Sequence, residues 1–191
     1  MEKKRHLMMT LCALLMLPMV LAGCSSDDDD DLFTVCPGTP ALQAIVVEEG
    51  AQLYDITEED VVLTIENIVA CNPKTGLFKL KGVGRIVEKS YPLPTQYCIR
   101  FFAANHMLFE ARLNNLLSSY LATGLTFYSY SDPSYPSDDI SWFKLMSVVI
   151  KDGDTSTGTP TEAEQKGIEE LYSILGAHRL LDENLTLSML E

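Results

Sequence analysis

The feature that most constrains the fold is a tight turn between two strand-forming segments. Residues 61–70 are rich in β-branched side chains, and residues 77–88 begin with alternating apolar and polar side chains. Between them, Pro73 fixes its own φ and Gly76 supplies a positive φ. Strands joined by so short a connection pair antiparallel, so the sequence predicts a β-hairpin. The glycines at 82 and 84 fall inside the second strand and predict a bulge or a close backbone approach there.

Other segments extend this sheet and add a helix. Residues 41–48, 125–130 and 141–151 favour strands because they are rich in β-branched and aromatic residues. Near the C-terminus, Thr159 is the expected N-cap of a helix, with Glu162 at its third position. The apolar residues that follow recur at helical spacing and form one face for packing on a sheet: Ile168, Leu171, Tyr172 and Leu175.

The middle of the chain, residues 97–122, has two interpretations. Residues 97–102 favour a short strand, and the apolar residues that follow have helical spacing: Phe109, Leu113, Leu116, Leu117 and Tyr120. We therefore predict a strand and then a helix; the alternative is a hairpin that turns at Asn105 and His106 and returns through residues 107–113. The predicted fold class is α+β, a mainly antiparallel sheet with this mid-chain helix and a C-terminal helix packed on it. The alternative is a mostly β sandwich with one C-terminal helix.

Charge and length limit the domain organisation. Residues 41–191 suit a single globular domain, because about 150 residues build one hydrophobic core. The formal net charge of the full chain is −13. Removing residues 1–23 takes away three basic side chains and Glu2, which brings the charge to −15. We expect no nucleic acid partner, because so acidic a surface repels phosphates.

The N-terminal segment has the pattern of a signal peptide. Lys3, Lys4 and Arg5 precede an apolar run over residues 7–21. About fifteen residues at ~1.5 Å each fall short of the ~30 Å hydrocarbon core, so a membrane span is not expected. We predict a signal peptide over residues 1–23, a tether over 24–40 and the globular domain over 41–191.

The end of this segment, Leu21-Ala22-Gly23-Cys24, resembles the lipobox of bacterial lipoproteins. The resemblance implies that Cys24 becomes the first residue of the mature chain and carries acyl chains such as palmitate, which anchor the protein in a membrane. Ser25 next to the cysteine implies outer-membrane sorting. The alternative is an ordinary cleavage site with an accidental cysteine nearby.

The acidic run after Cys24 resembles the surface-export signal of Bacteroidetes lipoproteins, which implies a cell-surface location. The residues of this signal are Ser25, Ser26, Asp27, Asp28, Asp29, Asp30 and Asp31. Five aspartates repel one another and have nothing apolar to bury, so they are also explained as a solvated tether. A calcium site in the run is disfavoured because it lacks a fixed oxygen cage. A location on the periplasmic face of the outer membrane stays open.

Three cysteines belong to the tether and domain apart from Cys24. Cys71 and Cys98 lie at the ends of predicted strands, and a disulfide between them is one possibility. The alternative is that both are ordinary buried thiols. Zinc ligation is disfavoured because no cysteine pair or histidine set has the required spacing, so we expect no metal and no cofactor.

An aromatic and acidic stretch around residues 127–143 is the candidate ligand site. Tyr135 and Trp142 flank a loop that also contains Asp138 and Asp139, and aromatic rings beside carboxylates suit glycan recognition. The alternative is that the aromatic residues of two strands fill the core. Residues 152–156 resemble the start of a calcium loop, but Thr157 stands in place of its glycine, so a polar turn explains them better.

No catalytic motif accompanies these features, and we predict no catalytic residue. His106 and His178 lie outside any hydrolase or metalloprotease pattern. Two classes of function follow. The first is a non-enzymatic surface lipoprotein that binds a glycan or an envelope protein. The second is a small envelope hydrolase with an unrecognised site, and a structural lipoprotein facing the periplasm is a further alternative.

Overall fold

The computed structural model describes most of the predicted globular domain. The described residues are 42–52, 56–90, 94–104, 106–115, 122–130, 140–151 and 154–187. The predicted signal peptide, the lipidation site Cys24 and the acidic tether lie outside these residues.

The described strands form one sheet that is antiparallel except at a single pair. Its order is β2-β1-β5-β6-β7-β8-β4-β3, with β9 paired to β8, and only β6 and β7 run parallel. The strands are β1 (Leu42–Glu48), β2 (Val61–Thr64), β3 (Ile68–Asn72), β4 (Leu77–Lys81), β5 (Tyr97–Ala103), β6 (His106–Asn115), β7 (Gly124–Ser129), β8 (Ile140–Lys151) and β9 (Asp154–Thr157). The helices are α1 (Gly84–Ser90) and α2 (Glu162–Ala177), with 3-10 turns at Ile65–Asn67 and Pro94–Gln96.

The sheet is nearly closed into a barrel because its two end strands are consecutive in the chain. Only the turn Ile65–Asn67 separates β2 from β3. The Thr64 hydroxyl accepts a hydrogen bond from the backbone N–H of Glu66, and the Asn67 amide donates to the carbonyl of Lys81 across 3.1 Å. The architecture is largely β and not the predicted α+β class. Its strands form one nearly closed sheet, whereas the sandwich alternative would have two packed sheets.

Side chains from β1 to β8 fill the barrel interior, whereas all four residues of β9 are exposed. Phe127 is fully buried at its centre, stacked on Phe143 at 4.8 Å and edge-on to Phe78 and Phe101 at 5.6 Å each. A smaller cluster lies on the outer face of β1 and β5 under the segment that follows β1: Ile45, Val47, Ile56, Cys98 and Phe102. The hydrophobic core is therefore inside the barrel, and the outer face of β7 and β8 is left for other contacts.

The predicted C-terminal helix is confirmed, and it packs against the barrel interior. Ile168, Leu171 and Leu175 of α2 belong to the main core cluster. The capping box lies two residues later than predicted, since Thr161 is the N-cap and exchanges hydrogen bonds with Glu164. Among the described helices, none is long and apolar enough to cross a lipid bilayer.

The predicted mid-chain helix is wrong, and the hairpin alternative is correct. β5 and β6 pair antiparallel through Phe101↔Phe109, and the chain turns after Ala104, whose φ is +49°. Phe109 and Leu113 are four residues apart, a spacing that fits a helix as well as one face of a strand. Ala111 between them also faces the core, so the strand period of two decides. Residues 116–121 lie outside the description.

The hairpin at residues 72–76 is confirmed, but its two strands are shorter than predicted. Gly76 has φ +69°, and β3 and β4 pair from Asn72↔Leu77 to Ile68↔Leu80. The first segment is interrupted by the 3-10 turn, and the second ends at Lys81, where Gly82 with φ +64° redirects the chain into α1. The predicted bulge is therefore a strand-to-helix turn. Arg85 and Lys89 of α1 donate to the carbonyl of Glu59, which fixes this helix beside β2.

Candidate functional site

A cleft of about 390 Å³ lies on the outer face of the barrel, where β7, β8 and β9 meet the end of β6. Its volume is within the range of ~300–1,000 Å³ that is typical of small-molecule sites. The described residues that line it are Asn114, Ala122, Thr126, Tyr128, Tyr130, Met146, Val148, Thr155, Ser156 and Thr157. The lining thus combines two phenol rings and aliphatic groups with hydroxyls and one amide.

Strand alternation explains why these side chains face outward. On β7, Leu125 and Phe127 are buried in the barrel, so the alternate residues face the other side. These are Thr126, Tyr128 and, just beyond the strand end, Tyr130. On β8, Phe143 and Leu145 occupy the core, so the residues that alternate with them face outward, on the same side as the cleft. These residues are Trp142, Lys144, Met146 and Val148. The alternation that buries Phe127 and Phe143 in the core therefore also places Tyr128 and Tyr130 on the outer face of the barrel.

The register of the strands arranges the aromatic side chains in rows across the sheet. Tyr128 of β7 lies between Asn114 of β6 and Lys144 of β8. The backbone N–H of Tyr130 donates to the carbonyl of Trp142 at 2.9 Å, and Trp142 pairs in turn with Lys79 of β4. We call Tyr128, Tyr130 and Trp142 the aromatic row.

Two ring geometries define the surface of the aromatic row. The rings of Tyr128 and Tyr130 are 5.4 Å apart at 68°, so one meets the other edge-on. The ammonium of Lys79 lies 5.5 Å from the ring centre of Trp142, within the range of a cation–π contact. Burial raises the pKa of the Tyr130 phenol, and the neighbouring Tyr128 adds to the effect. That hydroxyl therefore keeps its proton near neutral pH and stays available as a hydrogen-bond donor.

The residues proposed from sequence are only partly described. Trp142 lies half-buried in the aromatic row, whereas Tyr135, Asp138 and Asp139 fall outside the described residues. Phe127 and Phe143 fill the core as the alternative interpretation expected, while Trp142 and the tyrosines at 128 and 130 do not. Sequence reasoning did not single out those two tyrosines as ligand-binding. Tyr128 and Tyr130 alternate with Phe127 and Ser129, and this alternation indicates that the two tyrosines lie on the face of the strand opposite the core.

The possible disulfide between Cys71 and Cys98 is not formed, and the alternative of two buried thiols describes both cysteines. Cys71 and Cys98 are free and belong to different hydrophobic clusters, Cys71 inside the barrel and Cys98 on its outer face. Burial raises the pKa of each thiol to about 12, and for Cys98 the nearby Glu110 carboxylate adds to the effect. Thiols held in this way are poor nucleophiles and poor metal ligands.

The histidines lie elsewhere. His106, at the opposite end of β6 from the cleft, is 3.0 Å from a carboxylate oxygen of Glu170 on α2. His178 is the C-cap residue of α2, and its backbone N–H donates to the carbonyl of Ile174. Within the described ranges, no three metal-binding side chains cluster, and neither a carboxylate nor an imidazole lines the cleft.

No protein-family model matches the chain, and no curated protein or solved structure is significantly similar to it. The cleft and the aromatic row therefore carry the functional argument by themselves.

Proposed function

We propose that the protein is a lipid-anchored binding module of the outer membrane, displayed at the cell surface, whose ligand site is the cleft on the outer face of β7 and β8. The observation that carries this proposal is the composition of the cleft. Two tyrosine rings are held at a fixed angle beside hydroxyl and amide groups on rigid strands. Small-molecule sites combine an apolar wall with a few convergent polar groups in the same way.

The class of ligand that suits these groups best is a saccharide. The C–H face of a sugar ring packs on an aromatic ring, while its hydroxyls exchange hydrogen bonds with hydroxyl and amide side chains. Tyr128 and Tyr130 supply the rings, and Asn114, Thr155 and Thr157 supply polar groups at the β6 and β9 sides of the cleft. Trp142 extends the aromatic surface beyond the cleft toward β4.

A binding role is proposed because the described lining of the cleft suits recognition by ring stacking and hydrogen bonds. The described lining supplies phenols, hydroxyls and an amide. In the proposed site, these groups hold the ligand and no proton is transferred.

The location in the proposal depends on the N-terminal sequence. The lipobox-like residues 21–24 supply Cys24 for acylation, and the aspartate run after it supplies the export signal and a hydrated spacer. Such an anchor holds a binding domain at the cell surface, where extracellular glycans are within reach.

Glycan binding tests the site directly. The acylated protein, purified in mild detergent, is applied to a glycan array, and bound glycans are titrated by calorimetry. Tyr128→Ala is expected to weaken binding about tenfold, since losing one stacked ring costs ~1–1.5 kcal/mol. Tyr128→Phe, which keeps the ring, is expected to retain most of the affinity. The matched control is Met107→Ala. Met107 is an apolar residue at the other end of β6, and 38% of its surface is exposed.

Failure of this test has a clear form. If no glycan binds, or if Tyr128→Ala binds as tightly as the unchanged protein, the cleft is not a saccharide site. The same array tests Asp138→Asn and Asp139→Asn, and these variants are expected to lose affinity for the bound glycan if both carboxylates accept sugar hydroxyls.

The location has its own test. Cys24→Ala is expected to abolish incorporation of labelled palmitate, and replacing Asp27, Asp28, Asp29, Asp30 and Asp31 with alanine is expected to protect the protein from protease added to intact cells. Palmitate labelling of the Cys24→Ala variant would contradict the anchor, and unchanged protease sensitivity of the alanine variant would contradict the export signal.

A further inference from the structure

Two lysines lie beside the aromatic row of a strongly acidic chain. The chain has 14 Lys and Arg residues against 27 Asp and Glu residues. Lys144 is the cross-strand partner of Tyr128, and the Lys79 ammonium lies 5.5 Å from the Trp142 ring centre. Both lysines are on the outer face of the barrel, on strands next to one another, and both are partly exposed.

Neither lysine has an acidic partner among the residues that the structure describes. Other cations do: Lys74 pairs with Glu183, Lys89 with Asp60, Arg100 with Glu110 and Arg112 with Glu49. Lys79 contacts the face of Trp142, and that contact leaves its ammonium donors free for a further acceptor. Two positive charges without described counter-ions therefore flank the rings that are proposed to hold a sugar.

We propose that the aromatic row selects acidic saccharides, with Lys79 and Lys144 binding a carboxylate or sulfate on the sugar. This inference rests on the proposed function and names its ligand class. A sugar ring stacked on Trp142 or on the tyrosines carries its substituents within reach of a lysine side chain. An anionic substituent there makes a charge-assisted hydrogen bond, which is stronger than the bond of a neutral hydroxyl.

The overall negative charge of the protein does not cancel this attraction. At physiological ionic strength the Debye length is about 8 Å, so acids farther from the row than that are largely screened. The lysine contacts are made within hydrogen-bond distance and keep most of their strength. A polyanion without a ring that can stack on the row makes only the lysine contacts, so both parts of the ligand are required for tight binding.

The test uses pairs of probes that differ only in charge. Oligogalacturonate is compared with its full methyl ester, and dextran sulfate with dextran, by calorimetry on the acylated protein in detergent. Each acidic member is expected to bind about two- to fivefold more tightly than its neutral partner, because an exposed ion pair supplies up to about fivefold. The first pair reports carboxylate recognition and the second reports sulfate recognition.

Variants separate the two lysines from the general charge of the protein. The double variant with Lys79→Gln and Lys144→Gln is expected to bind acidic and neutral probes equally well. Its affinity for the neutral probes is expected to change less than twofold. Lys144→Arg keeps the charge and is expected to keep the preference. Lys166→Gln removes the same charge from an exposed site on α2 and is the matched control.

Each outcome decides the inference. If neutral and acidic probes bind equally, or if the double variant still prefers the acidic probes, the inference is overturned. The proposed function nevertheless stands if Tyr128→Ala still weakens the binding of these probes. If none of the four probes binds and the glycan array is also empty, the inference and the proposed function fail together.

Discussion

A single methyl group added at Gly167 tests how α2 is seated on the barrel. A Cβ atom at this position falls 2.0 Å from the carbonyl oxygen of Leu108 and 2.6 Å from its carbonyl carbon. Both atoms belong to the backbone of β6, which cannot swing aside as a side chain does. To restore a separation of 3.0 Å, the helix has to retreat by about 1 Å.

The magnitude follows from two opposing effects. In an exposed helix interior, Gly→Ala stabilises by about 1 kcal/mol through helix propensity. At Gly167 the retreat disturbs the packing of Ile168, Leu171 and Leu175 in the core, and overpacking of this kind costs about 1–3 kcal/mol or more. We therefore expect Gly167→Ala to lower the free energy of unfolding by about 2 kcal/mol. For a chain of this size, that loss lowers Tm by about 4–8 °C.

The same helix offers a matched control. A Cβ at Gly176 meets only the Cδ1 atom of Leu181, at 3.4 Å, and that atom ends a flexible side chain. Gly176→Ala is expected to change stability by less than about 1 kcal/mol, in the stabilising direction. Thermal melts followed by circular dichroism measure both variants. If Gly167→Ala melts at or above the temperature of Gly176→Ala, the close contact between α2 and β6 is wrong.

Three further predictions concern the barrel and its cysteines. Phe127→Ala, which removes the fully buried ring at the centre of the core, is expected to cost about 3–5 kcal/mol in urea unfolding; a cost below 1 kcal/mol would contradict the central position of the ring. Asn72→Ala removes the 3.0 Å bonds from its amide to the carbonyls of Glu183 and Leu185, and is expected to cost about 1–3 kcal/mol and to speed hydrogen exchange at residues 180–185; unchanged exchange there would argue against this attachment. Cys71 and Cys98 are expected to stay unreactive toward Ellman's reagent at pH 8 until urea unfolds the chain. Burial raises the pKa of both thiols from the ordinary value of 9.0 to about 12, so the folded state keeps these protons to a higher pH than the unfolded state does. The contribution of the two thiols to the free energy of unfolding is therefore present below pH 9 and is lost between pH 9 and 12. A free energy of unfolding that stays constant over that range would refute this prediction.

The parts of the fold that sequence predicted are those fixed by local chemistry. The hairpin at residues 72–76 follows from a proline and a glycine that fit one turn, and the C-terminal helix follows from its capping residues and apolar stripe. The exact cap was missed because Thr159 and Thr161 both precede an acidic residue three positions later, and only the hydrogen bonds distinguish them.

The mid-chain error arose where local spacing was ambiguous and long-range pairing decided. Phe109 and Leu113 fit a helix, but β5 pairs antiparallel with residues 106–112, with one irregularity between Phe101 and Phe102. Likewise, nothing local to Gly82 indicates a helix after it. In the fold, the side chains of Arg85 and Lys89 attach α1 to the carbonyl of Glu59 just before β2. Tertiary contacts of this kind override propensity.

The candidate site was predictable only in part. The sequence placed aromatic residues near residue 142, but it did not show which of them leave the core. Tyr128 and Tyr130 become neighbours of Trp142 and Lys144 only through the pairing of β7 with β8. The parallel pairing of β6 with β7, which brings Asn114 beside Tyr128, has no local signal in the chain at all.

The most direct test of a ligand site in the cleft is an NMR titration of the protein labelled with 13C at its methionine methyl groups. Met146 lines the cleft, whereas Met107 is exposed at the far end of β6. With a saccharide that binds on the glycan array, we predict a saturable shift of the Met146 methyl signal while that of Met107 stays in place. A shift at Met107 with no change at Met146 at saturating ligand would place the site elsewhere and contradict the account.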